Sequence, residues 1–493
     1  MASLTLPQGR PLDSLALAQG RPFDSVLLDG CGPPSRRRVY ATGTMLKRTI
    51  PPLVVAAFGV LIATTLRPTA AAVDENWPRW RGPDGSGVAA ATDYPAEWSL
   101  EKNIAWKTRV EGKGHSSPVI WGDYLFITTS VRGNPSGHVA PDHLGYDLRP
   151  GYRNPDSEEA DHNYTLKVLA YDTKNGKLLW ERTAYDGIMW DDRQKKNTYA
   201  SNTIATDGKL LYAFFEAPGL YAYDFKGNLV WKASLGNIAK GGMGPGVSPI
   251  LFENLIILQV DQEMGANSAI VALDKNTGKQ VWRAERSTRR TWGTPLIVKT
   301  PQRLELMATG AEMVAGYDPR TGKELWRAKG LENHPIPSAV AGHGLVFFSS
   351  GYPRKRIIAV RPGRDGDLTG TDGIAWTFDK GTSYVASPVL VGDYLYAMQD
   401  NGTLTCLEAQ TGKLVYEGGR PPVPATFRSS LAAFGDNILQ TSEEGDTFVI
   451  KAGPRHEVLR TNSVGEPVWA TLAFARGTIY IRGDQHLFAI RKP

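Results

Sequence analysis

From residue 103 to the carboxy terminus, apolar and polar residues alternate in short runs, and Gly, Asp or Asn closes each run. A period of two, broken at close intervals by turn formers, predicts β-strands joined by tight hairpins. Two elements recur in fixed order. The first is a pair of strands led by small residues, as in SSPVIWGDYLFITT (116–129), VSPILFENLIILQV (247–260) and ASPVLVGDYLYAMQ (386–399), and it opens eight times. The second is an eleven-residue phrase, AYDTKNGKLLW near residue 171 and ALDKNTGKQVW from 272. It returns as GYDPRTGKELW ending at Trp326, shortened as AYDFKGNLVW ending at Trp231, and worn as CLEAQTGKLVY ending at Tyr416.

The phrase reads as strand, turn, strand. Asp274 can accept backbone N–H bonds within the turn. Gly278 supplies the positive φ that closes a short hairpin with a bulge. Trp180, Trp231, Trp282, Trp326 and Trp376 fall at repeat spacing. Five rings at one repeat position are expected to dock each unit on its neighbour, since a Trp ending an exposed edge strand would invite aggregation.

Joined, the two elements make a four-stranded unit of about 40–50 residues, the signature of a propeller blade. Eight openings are matched by eight third strands, but the chain ends at Pro493 before an eighth fourth strand can form. NIAWKT, residues 103–108, is a fourth strand with no blade before it. The expected fold is therefore an all-β, eight-bladed propeller of four-stranded blades over 103–493, closed by this N-terminal velcro strand.

AxDxxTGKxxW joined to SSPV resembles the repeat of pyrroloquinoline-quinone (PQQ)-type propellers, a group that includes quinoprotein alcohol dehydrogenases and the outer-membrane assembly factor BamB. The opening WPRWRGPDGSGVA (77–89) resembles the start of exported bacterial PQQ-binding-like repeat proteins. The resemblance implies the PQQ-like propeller fold. It allows PQQ with calcium as a cofactor, although the residues themselves assign none. The dehydrogenases carry a vicinal Cys pair, an Asp base and an acidic or amide calcium cluster, and no segment here aligns to those motifs. Fold transfers in such a case and chemistry does not.

Residues 45–72 look like an export signal: Lys47 and Arg48, an apolar stretch from Ile50 to Leu66, then Ala70, Ala71 and Ala72. Residues 1–44 fit no targeting pattern and are expected to be a non-native or mis-assigned extension, with Met45 as the start. Residues 73–102 are an extended segment before the propeller. The implied location is periplasmic or secreted. No Cys follows the signal in TAAAVDEN, so no lipid anchor is expected. Removing residues 1–72, with eight basic and three acidic side chains, takes the formal charge from +6 to about +1. No basic patch remains to suggest nucleic acid, and no transmembrane domain is expected after the signal. Cys406 is left alone and reads as a packed strand thiol.

Residues entering the opening strands face the channel mouth of a propeller. Those positions give His115, Tyr199, Asn202, Trp292, His334, Tyr384, Arg428 and Trp469 as candidates for a planar or sugar-like ligand, with Trp292 first for stacking. No catalytic residue and no metal ligand is assigned. The long insertion 131–164 in the first blade carries His138, Asp142, His143, Asp147, Asp156, Glu158, Glu159, Asp161 and His162, without recognised ligand spacing. It reads as a solvated loop facing a partner. GGMGPG at 241–246 precedes no phosphate-binding Lys and reads as a turn. The function expected is noncatalytic binding or scaffolding in the cell envelope, with envelope or secreted protein partners at the blade loops and a small ligand in the channel. The alternatives are a PQQ-dependent oxidoreductase of alcohols or sugars and a carbohydrate-binding propeller.

Overall fold

Strand pairing in the computed structural model follows the repeat. The structure describes residues 75–144, 148–419 and 421–493, so the expectations for residues 1–44 and 45–72 lie outside the described residues. Eight sheets have the same inner-to-outer strand order, and together they form an eight-bladed propeller. Blade 1 consists of Val119–Trp121, Tyr124–Pro135, His162–Asp172 and Leu178–Ile188. Blade 8 is completed from the other end of the chain, where Ile104–Arg109 pairs antiparallel with His486–Arg491. Among the described residues no helix is long and apolar enough to cross a membrane.

The repeated phrase works as a hairpin and as a dock. Asp274 Oδ1 accepts the N–H groups of Asn276 (3.0 Å) and Thr277 (2.9 Å), and Gly278 follows at φ +69°. A bulge between Ala272 and Leu273 absorbs the odd residue of the return strand. Each dock sets an indole N–H against the turn of the next blade: Trp180 on Phe225 O (2.8 Å), Trp231 on Lys275 O (3.1 Å), Trp282 on Pro319 O (3.2 Å) and Trp376 on Ala409 O (3.0 Å). Trp106 of the velcro strand does the same to Thr173 O at 2.9 Å, so the closing seam uses the common device. Trp326 is the exception. Blade 5 has no such turn, and the Trp326 indole donates to Glu305 Oε2 at 2.7 Å while Gly366–Asp367 pairs in parallel beside it.

The small residue that leads each opening strand has a matching role on the inner side. The backbone N–H at that position bonds the hydroxyl one blade on: Ser117 to Thr203, Thr203 to Ser248, Ser248 to Thr294 and Thr294 to Ser338. Ser338 to Ser387, Ser387 to Ser430 and Ser430 to Thr471 continue it. The girdle stops at the seam, where the buried Ser117 hydroxyl finds no partner.

Residues 77–89 run across the channel. Trp77 exchanges backbone bonds with Ile120 of blade 1, and Pro78 O accepts from Thr206 of blade 2. Val88 and Ala89 pair in parallel with Ala433 and Phe434 of blade 7. Between them the buried Arg81 donates to Pro388 O (2.6 Å) and Leu431 O (3.2 Å), which ties the crossing to blades 6 and 7. The segment then leaves along the blade 7–8 interface, where Tyr94 packs on Phe434 and Phe474, and it reaches the velcro strand.

Candidate functional site

Each blade's outer strand returns to the channel mouth before the next inner strand begins, so the residues just ahead of the hydroxyl girdle face one another. Six of the sequence candidates, His115, Trp292, His334, Tyr384, Arg428 and Trp469, line a cavity of roughly 490 Å³ there. Trp80, from the crossing segment, also lines it, so the channel is blocked beneath the cavity. Trp292 enters blade 4 and Trp469 enters blade 8, half a ring apart.

Tyr199 and Asn202 stand elsewhere, which corrects the sequence reading. Tyr199 is 3% exposed, packs edge-on against Tyr164 at 4.7 Å and bonds Asp191 O. Asn202, 2% exposed, donates to Phe214 O. The large Tyr199 ring gains more by burial between blades 1 and 2 than at a wet mouth, and Asn197 and Ser201 take the lining positions of that sector.

The insertion also differs from a free solvated loop. Its flanks are strand, since Tyr124–Pro135 and His162–Asp172 continue the blade hairpin beyond the usual length. Ser157–Glu158 pairs with Arg193–Gln194, and the Ser157 hydroxyl donates to Gly242 O at 2.6 Å. His143 is fully buried: Nδ1 accepts from the Asn154 N–H, and Nε2 lies 3.4 Å from Asp192. Glu159 takes Arg193 and the Tyr164 hydroxyl. His143, Glu158 and Glu159 thus fasten the loop to Asp192 and Arg193, and Asn154 and Asp156 reach the cavity. Among the described residues no group of three His, Cys, Asp or Glu is arranged to hold a metal ion. GGMGPG is the loop between blades 2 and 3, and Met243, Pro245 and Gly246 contribute to the wall.

The wall is aromatic and electropositive. His115 stacks on Trp469 at 5.3 Å and 13°, with the Lys196 ammonium 5.7 Å from the Trp469 ring. His334 stacks on Tyr352 at 5.2 Å, and Tyr352, 51% exposed, leads on to Tyr384. Trp292 is 7% exposed; its indole N–H is fixed on Gly244 O, and the Arg290 and Lys240 charges lie about 6 Å from the ring. Burial, then the charges of Arg482, Arg193 and Lys113, push His115 down to about 3. Burial and the Arg290 and Arg289 charges lower His334 to about 4. Both imidazoles are neutral at pH 7. Lys196 and Arg428 line the cavity as well, and Glu443, buried and outside the lining, holds both, at 2.9 and 3.0 Å. Trp80, Tyr352, Lys196 and Glu443 were missed as candidates; the repeated Trp of WPRWRG was the one signal in the sequence that could have raised Trp80.

Blades of this order, docked through a repeated Trp, define a PQQ-like repeat propeller. The family model described as outer membrane protein assembly factor BamB matches residues 165–417, and the chain belongs to that family. No protein with a curated description matches it. Among solved structures, BamB from Moraxella catarrhalis is similar at 14% identity and a TM-score of 0.50, over 74% of this chain and 98% of that one. A europium-containing methanol dehydrogenase is similar at 11% identity and a TM-score of 0.55, over 84% and 90%. A quinohemoprotein alcohol dehydrogenase from Comamonas testosteroni is similar at 12% identity and a TM-score of 0.56, over 86% and 82%. At these identities the likeness is one of fold.

Calcium-bound PQQ does not fit the residues present. Calcium takes six to eight oxygen ligands, several of them carboxylate, whereas among the described residues Asp156 is the one carboxylate lining the cavity and the other charged lining residues, Lys196 and Arg428, are cationic. Cys406 is the free cysteine of the described residues. It is buried in the strand Leu404–Glu408, its thiol pushed up to about 12 by burial, and it lies apart from the cavity.

Proposed function

We propose that this chain is an exported binding propeller of the cell envelope that performs no chemistry of its own. It holds a small ligand in the channel cavity, with Trp292, His115, Tyr384 and Arg428 among the contacts, and meets envelope proteins through its blade loops. The carrying observation is the cavity itself: blocked beneath by Trp80, walled by aromatic rings and cations, and furnished, among the described residues, with one lining carboxylate. That form suits retention of a molecule, and it lacks the converging acids that a calcium-assisted oxidation needs. The assembly role printed for BamB supports a binding function. So do Val139, Leu148, Ile188 and Trp190, apolar residues left exposed on the blade 1 loops.

The test is cell fractionation of the expressed chain, then calorimetric titration with sugars and with PQQ plus calcium, beside a dye-linked alcohol and aldose oxidation assay. Envelope location and binding without turnover is the expected result. Turnover with PQQ and calcium would overturn the noncatalytic reading.

A further inference from the structure

Two cations, Lys196 and Arg428, line the cavity, and two buried guanidinium groups, Arg81 and Arg482, lie behind its lining residues. Arg81 lies against the floor, its guanidinium 5.7 Å from the Trp80 ring, and all its assigned bonds go to backbone carbonyls. Arg482 donates to the Ser116 hydroxyl at 2.7 Å, beside His115. Among the described residues neither has a carboxylate within ion-pair distance, although the charge of Asp84 acts on Arg81 and that of Asp484 on Arg482. Glu443, buried outside the lining, serves two lining cations at once. Arg428 uses Nε for this bond (3.0 Å) and Lys196 its ammonium (2.9 Å), which leaves that trio with one net positive charge. The two Nη groups of Arg428 have no acceptor among the described residues. A guanidinium presenting both Nη groups is shaped for two parallel bonds to a carboxylate.

Asp156, whose backbone oxygen accepts the Lys195 N–H at 2.9 Å, limits how acidic a guest can be. Asp156 lines the mouth, and its charge would repel a guest with several carboxylates while accepting hydroxyl groups. The Asn154 side chain beside it can bond hydroxyls as well. Tyr352, half exposed and backed by His334, offers an apolar face to a ring.

We propose that the cavity takes a sugar carrying a single carboxylate, a uronic acid, with that carboxylate on the Arg428 Nη groups and Lys196, and the hydroxyls toward Asn154 and Asp156. This rests on the reading of the channel as a ligand site. Glu443 is then a positioning residue that holds the two cations and tempers their charge.

The full chain is titrated calorimetrically with glucuronate and galacturonate, with glucose and galactose as neutral parents, and with PQQ, at low and high salt. The acids are expected to bind at least about tenfold more tightly than their parents, with the gap narrowing in high salt. Arg428→Met removes that preference. Glu443→Gln, which deletes the competing carboxylate, raises uronate affinity severalfold, an outcome that a merely structural Glu443 would not give. Equal affinity for acidic and neutral sugars overturns the inference and leaves the ligand-site reading standing, as does binding of PQQ without uronates. Failure of every probe to bind overturns both.

Discussion

The indole N–H of Trp231 donates to Lys275 O across the blade 2–3 interface, and its ring covers Gly278 so closely that a Cβ built on that glycine would lie 2.5 Å from ring atom Cε3. The glycine is required twice, by φ +69° and by the ring.

Gly278→Ala is therefore expected to destabilise by about 2 kcal/mol or more, from a strained backbone and a displaced ring. Trp231→Ala is expected to cost about 3–5 kcal/mol. The pair should be strongly non-additive, because once the ring is gone the alanine meets only the φ penalty. Denaturant unfolding of the two single variants and the double variant checks this; simple additivity would mean that the contact is not what fixes the glycine.

The same dock closes the ring. Trp106 bonds Thr173 O, and Thr108 Oγ1 donates to Gly176 O at 2.8 Å. Trp106→Ala should lower the melting temperature and release the strand Ile104–Arg109 first. Limited proteolysis would then cut near 103–109 before any other blade. Protection of that strand in the variant would show that backbone pairing alone holds the seam.

How far the sequence discloses this molecule depends on whether a feature repeats. Gly278, Asp274 and Trp231 belong to a phrase written several times, so local turn chemistry and spacing expose both the hairpin and the dock. The velcro strand is visible because one fourth strand lacks a blade. The cavity is a different matter. Trp80, Lys196 and Glu443 occur once each, and the chain brings them together through pairings hundreds of residues apart, such as Arg81 with Leu431. Tyr199 misleads because position in the repeat predicts where a strand starts, while the choice between cavity and core is made by the packing around the ring.

The girdle of hydroxyls gives a contrast between two serines at equivalent positions. Ser338 accepts from the Thr294 N–H at 2.7 Å in a buried setting, so Ser338→Ala leaves that donor unmet and should cost about 1–3 kcal/mol. The Ser117 hydroxyl is buried without a partner, so Ser117→Ala should be neutral or slightly stabilising. Chemical denaturation separates them, and a similar loss in both would mean that the Ser117 hydroxyl has a partner in solution.

The two cavity histidines contribute to the acid response of the fold. In the folded chain His115 titrates at about 3 and His334 at about 4, against an ordinary value of 6.5. Between those values and 6.5 the unfolded chain binds the extra protons, so the slope of unfolding free energy against pH is positive there. The contribution of each neutral imidazole is fully present above 6.5 and is lost as pH falls toward 4 for His334 and toward 3 for His115. Asp191 opposes this over part of the range, since burial raises its folded value and the folded chain then holds the proton more firmly than the unfolded one. A His115→Asn variant should therefore lose less stability than the parent on going from pH 7 to pH 4.5, whatever its stability at neutral pH. Denaturant midpoints at the two pH values measure the difference; a parent and variant that fall in parallel would show that His115 takes up its proton without cost in the folded cavity.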